Sequence, residues 1–170
     1  PPGILLWRAI LQWLGGIGII AMAILMLPLM RVGGMQLFKI ESSDTSEKFS
    51  ASAFQMVIYL MAFYTLLTVL CALLYFMFGM SLFDAVTHAM ATVSTGGYST
   101  HDASFGFFKS PALHWIATLF MAAGAVPFYL YIKAARGNPG QMLSDEQVRG
   151  FIALLVVVSI GLAGWMTWER

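Results

Sequence analysis

Apolar and polar residues follow one another along this chain in long blocks rather than at the short period of a strand. Residues 4–30, 54–78, 111–132 and 150–168 are each apolar over enough length to cross a bilayer as a helix, which takes about 20 residues. Arg8 and Gln12 fall near one end of the first block, where long side chains snorkel to the interface. Pro28 lies in the last turn of that block with Gly33-Gly34 just beyond it, and Pro127 inside the third block predicts a kink.

The connections are of two kinds. Residues 31–52 carry Arg31, Lys39, Glu41, Asp44, Glu47 and Lys48, and residues 133–149 form a second charged loop around a Gly137-Asn138-Pro139-Gly140 turn. Residues 79–110 hold only Asp84, Asp102 and Lys109 as formal charges. Six of the nine Lys and Arg residues lie in the two loops that must share a side, against Arg8, Lys109 and Arg170 on the other. The positive-inside rule therefore puts the charged loops in the cytoplasm and residues 79–110 outside.

That outer segment is not a plain connection. Ser81-Leu82-Phe83-Asp84 has the form of a capped helix start, with the Asp84 carboxylate in the first turn, where it offsets the helix dipole. Phe83, Val86, Thr87, Met90 and Val93 recur at helical spacing. A helix over Ser81 to Val93 is about 20 Å long, too short for a ~30 Å hydrocarbon core but long enough to dip half-way in. Its C-terminus carries about half a negative elementary charge, which favours a cation there. The following Ser94, Thr95, Gly96, Gly97 and Tyr98 return outward, the glycines permitting φ values that turn carbonyls inward. Carbonyl oxygens can replace a cation's water shell, whose unreplaced loss costs tens of kcal/mol. His101 and Asp102 stand at the outer mouth, able to act on cations electrostatically or simply to order the loop.

Two other readings apply to these residues. One is an external loop with an ordinary Gly-Gly turn. The other is a Ser94, His101, Asp102 hydrolase; it lacks the Gly-x-Ser-x-Gly elbow, and neighbouring residues on an extended strand face opposite ways. His88 and His114 read as hydrogen-bonded residues between helices, and Gly15, Gly16 and Gly18 as marks of close helix packing.

Composition agrees with a bilayer setting. The chain is 59% hydrophobic and 10% charged, where soluble domains average about 25% charged residues. A net charge of +1 argues nothing about nucleic acid, and with no long basic stretch none is expected as a partner. Cys71 stands alone in an apolar block and reads as a packing residue. Trp7, Trp13, Trp115, Trp165 and Trp168 lie mainly toward the outer ends of blocks, as an aromatic belt does. The chain opens Pro1-Pro2-Gly3 and ends Trp168-Glu169-Arg170, and is expected to be a piece of a longer protein.

These residues resemble a known family. Trp7-Arg8-Ala9-Ile10-Leu11-Gln12-Trp13-Leu14-Gly15-Gly16-Ile17-Gly18 is similar to the helix after the first pore loop of Trk-type potassium uptake proteins (TrkH/TrkG, within the Trk/Ktr/HKT superfamily). Leu29-Met30-Arg31-Val32-Gly33-Gly34-Met35-Gln36-Leu37-Phe38 with Glu41-Ser42-Ser43-Asp44 resembles the next cytoplasmic loop. Ser94-Thr95-Gly96-Gly97-Tyr98-Ser99-Thr100-His101-Asp102 resembles the second pore loop, and Asp145-Glu146-Gln147-Val148-Arg149 the start of the third repeat.

The resemblance implies four helix–pore loop–helix repeats around one pore. On it, residues 1–31 are the second helix of repeat one and 32–53 a cytoplasmic loop. Residues 54–133 are the whole of repeat two, 134–149 a second cytoplasmic loop, and 150–170 the first helix of repeat three. The expected fold is an all-α membrane protein, multi-pass in the bacterial cytoplasmic (inner) membrane, with one re-entrant pore helix and filter loop. The implied function is potassium uptake without enzymatic chemistry, with potassium as substrate and no cofactor in this chain. The implied partners are the lipid bilayer, the missing repeats of the full-length chain, a second copy in a homodimer, and a cytoplasmic nucleotide-binding regulatory subunit. The rival readings are a homotetrameric two-helix cation channel subunit, which lacks a Thr-Val-Gly-Tyr-Gly string here, and a membrane-embedded enzyme, for which only isolated His88 and His114 are available.

Overall fold

The computed structural model describes residues 1–26, 45–127, 130–131 and 144–168, and every described regular element is helical. In chain order these are α1 (Pro2–Met26), α2 (Thr45–Met77), α3 (Leu82–Val93), a 3₁₀ turn at Ser104–Phe107, α4 (Pro111–Ala125) and α5 (Glu146–Trp168). Pro28, Gly33-Gly34, Arg31, Lys39, Glu41, Asp44, Lys133, Arg136 and the Gly137–Gly140 turn lie outside the described residues.

Among the described residues, α1 over Pro2–Met22, α2 over Phe54–Met77 and α5 over Glu146–Trp168 are long and apolar enough to cross a membrane. The third apolar block departs from expectation: α4 stops at Ala125, after 15 residues. Pro127 has no N–H to continue the ladder and disfavours helical dihedrals at the residue before it, and α4 ends two residues ahead of it, with helical residues again at 130–131. Two helices start earlier than their apolar blocks. α2 takes in residues 45–53, expected to be loop. α5 begins at Glu146 because Asp145 caps it, its Oδ1 accepting from the Gln147 and Val148 N–H groups at 3.0 and 3.3 Å.

The chain forms two compact units, Pro1–Ala125 and Val126–Arg170. In the first, α3 packs against α1, α2 and α4. The buried stripe of α2 is Leu60, Tyr64, Thr68, Cys71 and Tyr75, spaced by three and four as one helical face must be. Trp13 is tied to α2: its indole N–H donates to Thr68 Oγ1 at 2.9 Å, and Tyr64 O–H donates to the Trp13 carbonyl at 3.2 Å. Trp7, Trp115, Trp165 and Trp168 are exposed. In the second unit Val126, Leu130 and Val148 cluster, with Tyr131 against them.

Candidate functional site

α3 is the half-length helix read from the sequence, 12 residues or about 18 Å. Its start is a reciprocal cap. The Asp84 N–H donates to Ser81 Oγ at 3.1 Å, and Ser81 O–H donates to Asp84 Oδ2 at 2.8 Å. Seven of its twelve residues are buried, Ala85, Thr87, His88, Ala89, Ala91, Thr92 and Val93. Tyr75 of α2 and Thr92 join their hydroxyls at 2.8 Å.

The end of α3 carries the chemistry. Thr95 N–H donates to the Thr92 carbonyl at 3.0 Å and Gly96 N–H to the Ala91 carbonyl at 2.7 Å. These are the two bonds of a Schellman turn, in which the residue after the C-cap is left-handed. That residue is Thr95, at φ +52°. The turn uses the carbonyls of Ala91 and Thr92, and Ser94 N–H uses that of Met90 at 3.2 Å. Those from Val93 onward are not consumed by it.

The expectation that both glycines supply the unusual dihedrals is corrected here. Gly97 does, at φ +72°, but its left-handed partner is Thr95, and Gly96 has no positive φ. A β-branched residue pays a steric penalty in that region, so the sequence gives no signal for it. Gly96 is small for another reason: a Cβ there would run into the side chain of Gln12 on α1.

Arg8 on α1 reaches the same segment. Its Nη2 donates to the Ser99 carbonyl at 2.6 Å, and its guanidinium lies 5.0 Å from the centre of the Tyr98 ring. Sequence position alone marks Arg8 and Gln12 only as snorkelling side chains. Gly16 is a packing residue, as expected, and a Cβ on it would lie 3.0 Å from Tyr64 Oη and 3.1 Å from Ser94 Cβ.

Asp84 gathers the residues that follow Tyr98. Thr100 O–H donates to Asp84 Oδ1 at 2.5 Å, and His101 Nε2 lies 3.4 Å from the same oxygen. Partial burial opposes the Asp84 charge, but the hydrogen bonds from Thr100 and Ser81 and the nearby His101 outweigh it and hold the carboxyl below the usual carboxylate range. The His101 ring stacks on Phe107 with centroids 3.7 Å apart. Asp102 remains exposed.

His88 bridges its own helix to the return segment rather than to another helix. Nδ1 donates to the Asp84 carbonyl at 2.8 Å, which leaves Nε2 to accept from Ser99 O–H at 2.9 Å. Burial pushes its pKa down; the Asp84 carbonyl bond and charge pull the other way, and His101 adds to the lowering. His114 donates to the Phe108 carbonyl at 2.8 Å, so it too braces loop rather than helix. The hydrolase reading gains nothing: Ser94 Oγ donates to its own helix, to Met90 O at 2.7 Å and Ala91 O at 3.3 Å.

Comparison with known proteins places this architecture. The family model "TrkH: Cation transport protein" matches residues 1–158. The Trk system potassium uptake protein TrkI of Halomonas elongata is 47% identical over 96% of this chain and 33% of its own length. TrkH of Vibrio parahaemolyticus is 38% identical over 93% of this chain and 34% of its own. The crystal structure of the potassium transporter TrkH from Vibrio parahaemolyticus superposes with a TM-score of 0.72 at 35% identity, covering 92% of this chain and 31% of that one. The chain thus spans about a third of the length of these relatives. They are bacterial transport proteins, and together with its apolar helices they make this an inner-membrane protein. It belongs to the TrkH family of cation transport proteins.

Proposed function

We propose that Ser94, Thr95, Gly96, Gly97 and Tyr98 form one of four carbonyl-lined filter segments in a potassium uptake pore, the other three lying in the rest of the full-length protein. α3 then dips into the membrane from the outer face, and its negative end meets the ion near the bilayer centre. The observation that carries this reading is the Schellman end of α3 with left-handed residues at 95 and 97. In an extended strand successive carbonyls alternate sides; left-handed residues break that alternation, so the carbonyls are free to face one path. His101 and Asp84 border the outer mouth and Asp102 lies exposed beside them. Potassium is the substrate, and the segment works by coordination, with no covalent step. Family likeness adds a homodimer and a cytoplasmic nucleotide-binding regulatory subunit to the proposal.

The test uses the full-length protein in cells lacking other potassium uptake systems. Uptake of potassium is measured against competing sodium. Gly97→Ala forces a Cβ into a left-handed residue and should reduce the potassium preference. An unchanged preference at matched protein levels would remove this loop from the filter.

A further inference from the structure

We infer that Gln12 is a positioning residue for ion selection, the middle rung of a strut on α1 that sets where Gly96 stands. This rests on the filter reading above. Arg8, Gln12 and Gly16 are four residues apart, so they form one stripe on α1, at steps of about 6 Å. Each meets a different part of the return segment. Gly16 lies against Ser94, Gln12 against Gly96, and Arg8 holds the Ser99 carbonyl at 2.6 Å. The order is inverted, so the segment runs antiparallel to α1. The left-handed residues 95 and 97 shorten the segment below the ~3.3 Å per residue of extended chain, so its two- and three-residue intervals can follow the helical steps of α1.

The rungs differ in chemistry. Gly16 gives close approach. Gln12 supplies bulk: its Cγ, Cδ and Nε2 occupy the place a Cβ at position 96 would take. Arg8 consumes the Ser99 carbonyl, which ends the run of carbonyls available to a cation at Tyr98. A Cβ would therefore meet a different obstacle at each of these neighbouring glycines, the φ of +72° at Gly97 and the Gln12 side chain at Gly96.

That difference gives a rescue experiment. Uptake of potassium against sodium is measured in the full-length protein, in cells lacking other potassium uptake, at matched membrane levels. Gly96→Ala should lower the potassium preference about tenfold, the equivalent of ~1.4 kcal/mol. Gln12→Ala in the same chain should restore most of it by clearing the space. Gln12→Ala alone should lower the preference several-fold by removing the wall behind Gly96. Gly97→Ala should lower it whether or not Gln12 is replaced. If Gly97→Ala acts but Gln12→Ala neither restores Gly96→Ala nor has an effect alone, the strut is overturned and the filter stands. If neither glycine variant alters the preference, the filter reading fails and the inference falls with it. Where Gly96→Ala does not reach the membrane, its recovery in the double variant and the selectivity of Gln12→Ala alone decide the matter.

Discussion

Gly124 of α4 lies against the carbonyl of Val93, the last residue of α3: a Cβ at position 124 would stand 2.5 Å from that oxygen. The carbonyl is backbone and cannot swing aside as a side chain can. α4 is therefore pressed onto the end of α3 from which the return segment departs. Gly124→Ala should cost about 1–3 kcal/mol through overpacking and displace that end. A fall in melting temperature of the purified full-length protein, with reduced potassium uptake, is the expected outcome. If both are unchanged, the contact is not tight.

The reciprocal cap of Ser81 and Asp84 makes a local prediction. Ser81→Ala removes the acceptor of the Asp84 N–H and should cost about 1 kcal/mol, while Ser81→Thr should retain most of it. Hydrogen exchange at the first-turn amides of α3 reads this directly. Equal protection in the Ala variant would mean that packing alone sets the start of the helix.

Much of this was legible in the sequence where one residue carries a local rule. Ser-x-x-Asp at 81–84 marked the start of α3, and helical spacing to Val93 marked its end. The return segment stood out by composition. What was not legible is what depends on contacts distant in sequence. Gln12 and Gly96 are 84 positions apart, and neither residue type signals the other. Gly124 looked like any small residue in an apolar run, and its reason is the Val93 carbonyl. Nothing in the sequence marks Thr95, because left-handed backbone is expected at glycine; the Schellman bonds impose it on a β-branched residue instead. Pro127 marks an interruption of the third apolar block, with α4 ending at Ala125 and helical residues again at 130–131.

Thr95 gives the next prediction. Its φ of +52° is tolerated by Asn and forbidden to Pro, whose φ is fixed near −65° and which lacks the N–H that donates to Thr92. Thr95→Asn should keep potassium uptake within a few-fold, and Thr95→Pro should abolish it at normal membrane levels. Uptake surviving in the Pro variant would show that the turn is dispensable.

Topology is tested independently of the filter. Six of nine Lys and Arg residues lie in the two charged loops, which the positive-inside rule assigns to the cytoplasm. With an impermeant thiol reagent on intact cells, Lys109→Cys in the full-length protein should label and Lys48→Cys should not. The reverse pattern would invert the membrane orientation of α3 and its negative end.

His88 should make the loop after α3 sensitive to acid. Its folded pKa lies below the ordinary value of 6.5, chiefly through burial, so the neutral ring is the form the fold accepts. Such a group gives its full stabilisation above about pH 6.5 and loses it as pH falls from there through the lowered folded value. Asp84 is not the source of a loss in that window. Its carboxyl is held below the usual range, so its contribution persists until pH falls below about 4. Around the His88 ring stand Ser99, the Asp84 carbonyl, His101 with centroids 6.5 Å away, and Phe105 and Phe108 edge-on. None of them offers a carboxylate bond to an added proton on Nε2, because the Asp84 side chain is engaged with Ser81 and Thr100. The melting temperature of the full-length protein should therefore fall as pH drops below about 6.5, and His88→Gln should flatten part of that fall. His101 is present in both proteins, so only the difference between their slopes belongs to His88. Parallel slopes would assign the acid sensitivity elsewhere.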